Sequence, residues 1–91
     1  MMVDNMDNQK IKRINSFFFR LIGREFRLEE FDDRLLLQKI VYMLQKAGIN
    51  FGYYFSWYLR GPYSAGLAKD AYEFYGKEST HKPQYLSLIH I

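Results

Sequence analysis

The chain contains no cysteine. That excludes a disulfide framework and any thiolate-held metal, and it points to a reducing compartment. Histidine is scarce as well, with only His81 and His90. Serine-based catalysis needs a base within hydrogen-bond reach, usually a histidine, and His81 falls in a polar loop-like stretch, so a catalytic triad is not expected. Zinc would need three or four Cys, His or carboxylate ligands at suitable spacing, and no such set is present. Nowhere does the chain approach the run of about 18 apolar residues that spans a bilayer. Its start, Met1 to Asn8, lacks the basic-then-apolar layout of a secretion signal. Internal repeats and low-complexity tracts are missing too. These shortages lead us to expect a cytoplasmic, non-enzymatic chain without metal, cofactor or membrane contact.

What remains is rich in apolar and aromatic material. Apolar residues make up 48% of the 91 positions and aromatics 19%, with eight Tyr, eight Phe and one Trp. This is enough for a real core. A domain of this size buries only about 60% of the surface its unfolded chain exposes, so its stability margin is thin. Each tyrosine also needs a place for its hydroxyl, which favours rims and interfaces over a dry centre. The net charge of +3 permits nucleic acid without requiring it.

Residues 1 to 8 are polar and are expected to be disordered. Between Gln9 and Phe26, Ile11, Ile14, Phe17, Phe18, Leu21 and Ile22 recur at three- and four-residue spacing, which predicts a first helix weakened near its end by Gly23. Its other side gathers Lys10, Arg13, Arg20, Arg24 and Arg27 into one basic face. Such a face can neutralise phosphates, although a charge run is more often simply solvated.

The acidic run Glu29, Glu30, Asp32, Asp33 precedes the strongest helical pattern, and these carboxylates read as solvated capping charges rather than as a cation site. Asp32 or Asp33 is expected to cap a helix that runs to about Ala47, with Gly48 as its left-handed stop. Leu36, Leu37, Ile40, Val41, Leu44 and Ala47 form its apolar stripe. Leu35 and Tyr42 fall on the otherwise polar side and call for something to cover them.

From Phe51 to Leu59 the residues are strand formers. Alternation puts Tyr54, Ser56 and Tyr58 on one side and Tyr53, Phe55, Trp57 and Leu59 on the other. Gly61-Pro62 is expected to break this strand, and Ser64 to cap a third helix over about Ala65 to Tyr75, ended by Gly76. Residues 77 to 85 read as a loop. Gly61 and Gly66 have the glycine spacing of a phosphate-binding P-loop, but Leu67 and Ala68 stand where its lysine and hydroxyl residue belong, so the match carries nothing. Amides at that helix start, beside Arg60, could hold an anion weakly. The last six residues, Leu86-Ser87-Leu88-Ile89-His90-Ile91, read either as a short apolar strand or as the translation of a transposon mosaic-end adapter used in sequencing libraries. We expect the adapter, with native sequence ending near Tyr85 and the natural protein continuing beyond it.

Over Arg34 to Tyr72, an ordered set of features resembles a known family. The set comprises Leu36-Leu37-Gln38-Lys39-Ile40-Val41-Tyr42, an aromatic segment closing on Trp57-Tyr58-Leu59-Arg60-Gly61-Pro62-Tyr63-Ser64, then Leu67 and Tyr72. It is similar to the YwgA-like proteins and, more distantly, to the Panacea domain of SocA-like antitoxins and phage-associated proteins. Gly-Pro-Tyr-Ser stands here where Panacea members commonly show Gly-Pro-Val, which sets the chain nearer the YwgA-like branch.

The resemblance implies a compact, mostly helical domain with a short sheet, no catalysis, and protein binding such as toxin neutralisation or delivery to a protease. Lys39, Tyr42, Trp57, Gly61 and Pro62 match the pattern. On that basis Trp57 is expected to anchor the core, Tyr42 to hydrogen-bond toward Gly61, and Lys39 to touch a partner.

The resulting expectation is a mainly α fold with a short β element: three helices packed around Trp57 and an aromatic strand or hairpin, forming part of a larger domain. Leu35, Lys39, Tyr42, Arg60 and Tyr63 are the expected partner-binding residues, with a toxin or a protease adaptor as partner. The alternative is a winged-helix-like DNA-binding regulator in which Arg60, Tyr63, Ser64 and Lys69 touch phosphates. A third reading places catalytic residues in a part of the protein not contained in this chain. An unpaired strand is not independently stable, so the chain alone is expected to be marginal or to self-associate.

Overall fold

The computed structural model describes residues 2–78, with side chains described for residues 9–76. The expectations for 79–91, including the loop, the adapter-like tail, His81 and His90, lie outside the described residues. The element order is α1 (Met2–Ile22), α2 (Phe31–Lys46), β1 (Ser56–Tyr58), β2 (Gly61–Tyr63) and α3 (Ala65–Glu78). The fold is mainly α with one antiparallel two-stranded sheet. No helix among the described residues is long and apolar enough to cross a membrane.

α1 begins at Met2, earlier than the apolar spacing predicts, and it ends at Ile22 rather than Phe26. Gly23 is the reason for the early end. It adopts φ +89° and donates its N–H to the Phe19 carbonyl at 2.8 Å, which closes the last turn in the left-handed way that glycine permits. The chain released there still serves the core, because Phe26 and Leu28 in the connection to α2 are buried.

α2 starts at Phe31 with Glu30 as its N-cap residue, and no side chain caps it. Asp33 is therefore not the expected cap; it sits in the first turn, facing inward. At the other end Ala47 is the C-cap and Gly48 follows at φ +111°, the stop that the sequence predicts.

The core lies where the three helices meet. Ile11, Ile14 and Phe18 of α1, Leu37 and Val41 of α2, and Leu67 and Ala71 of α3 are buried, with Phe51 entering from the segment after α2. Phe18 meets Phe26 edge-on at 5.5 Å between ring centroids, and Phe26 meets Tyr75 at 4.8 Å. A fully buried side chain of this size contributes about 2–3 kcal/mol. Leu21, assigned by spacing to the core face, is exposed.

Trp57 is not the anchor of this core. It is 66% exposed. The helices pack on one another, and the hairpin lies outside them; Trp57 and its cross-strand neighbour Pro62 share the face toward α2, but only Pro62 is buried there.

Gly61-Pro62 also does not break the aromatic segment into a strand and a turn. Leu59 and Arg60 make the turn, and Gly61 and Pro62 begin β2. The register pairs Tyr58 with Gly61, Trp57 with Pro62 and Ser56 with Tyr63. Pair types alternate along an antiparallel ladder. With Tyr58–Gly61 closing the two-residue turn, Trp57–Pro62 takes the non-hydrogen-bonded position, where a missing N–H costs no ladder bond. Neither turn residue has positive φ, and Gly61 at φ +126° completes the reversal. A Cβ there would lie 3.2 Å from Lys39 Cε, a contact the exposed lysine side chain could relieve by a small shift, so it is the positive φ that asks for glycine.

α3 is capped as the sequence predicts: Leu67 N–H donates to Ser64 Oγ at 3.2 Å. It continues through Gly76 to Glu78 instead of stopping at Gly76, which does not take a positive φ.

Candidate functional site

The hairpin is held to α2 by two glutamines. Ser64 N–H donates to Gln38 Oε1 at 2.7 Å, and Gln38 Nε2 donates back to the Ser64 carbonyl at 3.1 Å. Tyr53 N–H donates to Gln45 Oε1 at 3.0 Å, and Gln45 Nε2 donates to the Tyr53 carbonyl at 3.1 Å. A primary amide presents one donor and one acceptor side by side, so each glutamine pairs with backbone much as a neighbouring strand would. Gln38 and Gln45 are two helical turns apart on one face of α2. Together they fix both ends of the segment that carries the hairpin. Tyr53 is tied once more, its hydroxyl donating to Asp70 Oδ2 at 2.7 Å, which takes Asp70 off the free side of α3.

What this mounting presents is aromatic and apolar. Tyr54 is 95% exposed and Leu59 98% exposed, and Tyr58 and Trp57 are exposed beside them. The alternation predicted from the sequence is observed as far as Tyr58; Leu59, expected on the Trp57 side, lies in the turn. Phe55 and Trp57 turn toward α2, where both meet the Tyr42 ring edge-on, at 5.5 and 5.3 Å between centroids. Tyr54, Ser56 and Tyr58 face the other way and line an open groove of about 440 Å³ that ends at Ser64, Ala65 and Gly66. Tyr58 stacks on Tyr63 at 5.6 Å. Burial, then the nearby Tyr58, holds the Tyr63 phenol above its ordinary pKa, so it remains a neutral donor.

The expected partner-binding residues fall around this hairpin. Leu35, Arg60 and Tyr63 line one concavity of about 210 Å³ with Tyr58, Leu59, Gly61 and Pro62. Lys39 is exposed and its alkyl chain runs beside Gly61. Tyr42, expected to hydrogen-bond toward Gly61, makes no such bond among the described residues; it supports Trp57 and Phe55, with the Lys46 ammonium 5.6 Å from its ring centre. Leu35 and Tyr42 are thus the residues that the hairpin covers. Arg60 returns to the start of α2 and lies 5.4 Å from the Phe31 ring.

The phosphate-contact set is brought together less well. Ser64 is buried, with its hydroxyl and both backbone groups engaged by Leu67, Gln38 and Ala68. Lys69 pairs with Glu73 one turn along α3 at 3.1 Å. The basic face of α1 is also largely committed. Lys10 donates to the Phe51 carbonyl at 3.2 Å and lies over the Tyr53 ring, and Arg13 lies over Phe51. Arg24 and Arg27 turn to Asp33.

Asp33 is the residue that sequence reasoning placed wrongly. It is 1% exposed. It accepts from Arg24 Nη1 and Nη2 at 2.7 and 2.6 Å and from the Arg27 backbone N–H at 2.9 Å. The Arg24 hydrogen bonds, outweighing burial and aided by Arg27, hold its carboxyl at about 2. This carboxylate locks the Gly23–Glu30 connection onto α2 and is not the solvated charge that the sequence suggests. Among the described residues no group of three His, Cys, Asp or Glu side chains could share a metal. Comparison of the chain with family models, with curated proteins and with solved structures finds no match.

Proposed function

We propose that the chain is a non-enzymatic protein-binding module whose working surface is the hairpin Ser56–Tyr63 and the adjoining side of α2. One observation carries the reading: Tyr54, Trp57, Tyr58 and Leu59 are exposed together on a hairpin that two buried or half-buried glutamines hold in place. Clustered apolar exposure of this kind marks interaction sites, and aromatic residues next to a concavity are the residue types that anchor interfaces. The resemblance of Arg34–Tyr72 to YwgA-like and Panacea-type proteins supports the same class. It suggests a toxin or a protease adaptor, in a mobile-element setting, as the partner. The burial of Ser64 and the pairing of Lys69 weigh against the DNA-binding alternative.

The test is retention of neighbouring gene products and of duplex DNA on the immobilised chain, at low and moderate salt. The proposal expects protein retention that survives the salt step and is lost in Leu59→Asp, with the thermal unfolding midpoint unchanged. Retention of DNA alone, collapsing with salt as counterion release requires, would replace this reading with the alternative.

A further inference from the structure

Arg34, in the first turn of α2, is only 9% exposed, yet no acid among the described residues pairs with it. Its Nη1 donates to the Leu28 carbonyl at 2.7 Å, while Nε is buried without a hydrogen-bond partner. Burying a charge is costly unless a counter-charge and hydrogen bonds take it up. The acids nearby do not do so. Asp33 is held by Arg24 and Arg27. Burial pulls the Arg34 pKa below its ordinary value, and exposed Glu30, beyond ion-pair distance, only partly offsets this.

The guanidinium lines a partly open cavity of about 20 Å³, whose walls are mostly apolar: Phe26, Leu28, Leu37 and Ala71. One water needs about 10–15 Å³, so the space admits one oxygen-sized group. Two other polar side chains reach this cavity. Gln38 has its amide engaged by Ser64, whereas the Tyr63 hydroxyl has no hydrogen-bond partner among the described residues. A second unpaired cation stands close by, since Arg34 and Arg60 lie 5.5 and 5.4 Å from the same Phe31 ring centre. Tyr63 also lines the concavity beside Leu35, so the cavity is continuous with the hairpin surface.

Resting on the protein-binding reading above, we propose that this cavity anchors the partner through an Asp or Glu side chain, one carboxylate oxygen entering it to accept from Arg34. Tyr63 supplies a second donor, and Arg60 adds positive potential beside Phe31. Charge complementarity asks for an anion here, because water would satisfy Nε and leave the buried charge unopposed. A carboxylate on an alkyl stem suits the narrow, mostly apolar walls, whereas a tetrahedral phosphate brings four solvated oxygens to a space that holds one.

The experiment follows the Arg34 Nε–H by nitrogen–proton NMR of the full chain during titration, at matched ionic strength, with the α-methylamide of N-acetylglutamate, with N-acetylleucine and with sodium chloride. The glutamate derivative, whose only carboxylate is on the side chain, should shift the resonance saturably and slow its exchange with water. Tyr63→Phe, which keeps the ring and its stacking on Tyr58, should weaken that binding by about threefold to tenfold, the loss of one hydrogen bond. An Nε–H that ignores the glutamate derivative, or answers chloride equally, is a structural clamp over a buried water and overturns the inference. Saturation that Tyr63→Phe leaves unchanged overturns it as well, by placing the anion elsewhere. Tighter binding of N-acetylleucine overturns the choice of a side-chain carboxylate over a chain terminus. None of these failures touches the retention of protein by the hairpin, which Leu59→Asp tests separately.

Discussion

Replacing Asp33 with asparagine should expose a strong electrostatic device in this fold. The carboxylate is buried against a guanidinium that grips both its oxygens, and its pKa is lowered from 3.8 to about 2. A folded pKa below the unfolded one means that the unfolded chain takes up its proton first as pH falls. The stabilisation is therefore complete above about pH 4 and is lost as pH drops through about 2. A shift of nearly two units corresponds to about 2.5 kcal/mol at 1.36 kcal/mol per unit. Arg24 and Arg27 are partly solvated, and screening on their side reduces the expected effect to about 2 kcal/mol. That is a large fraction of the stability of a domain this small.

The assay is urea unfolding of wild type and Asp33→Asn at intervals between neutral pH and pH 2, with exposed Asp32→Asn as control. Asp33→Asn should be less stable by about 2 kcal/mol at pH 7, and the two curves should converge toward pH 2. Asp32→Asn should stay within about 0.5 kcal/mol of wild type throughout. A deficit in Asp33→Asn that keeps its full size at the acid end would refute the reasoning, since it would arise from packing and not from ionisation.

Two further outcomes follow from the hairpin's mounting. Gln38→Ala leaves the buried Ser64 N–H without its partner and the Ser64 carbonyl with Ala68 N–H alone, and should cost about 2 kcal/mol in the same urea assay, against about 1 kcal/mol for the half-buried Gln45→Ala; equal small losses would show that water replaces both amides. Trp57 is the sole tryptophan and is largely exposed, so native fluorescence should be readily quenched by acrylamide and its emission should shift little on unfolding. A strongly blue-shifted, protected indole would contradict the hairpin's position outside the core.

The local features are legible along the chain, because they are written in neighbouring residues. The apolar stripe of α2, its stop at Gly48, the Ser64 cap of α3 and the two-sided alternation of Tyr53–Tyr58 each depend on side chains within a turn or two of one another. Leu35 and Tyr42 could be flagged as needing cover for the same reason. Tertiary structure alone decided which aromatic became core and which became surface. Trp57 and Phe51 carry equal hydrophobic credentials in sequence, and only the packing of three helices against one another left room for Phe51 and none for the indole.

Asp33 tells the same story for charge. An acidic residue before a helix reads as a solvated cap until the Gly23 turn brings Arg24 and Arg27 back onto it. The Gly61-Pro62 pair looked like a strand breaker because proline lacks an N–H. The ladder register, which depends on where the chain turns and not on composition, put that missing donor at a position that needs none.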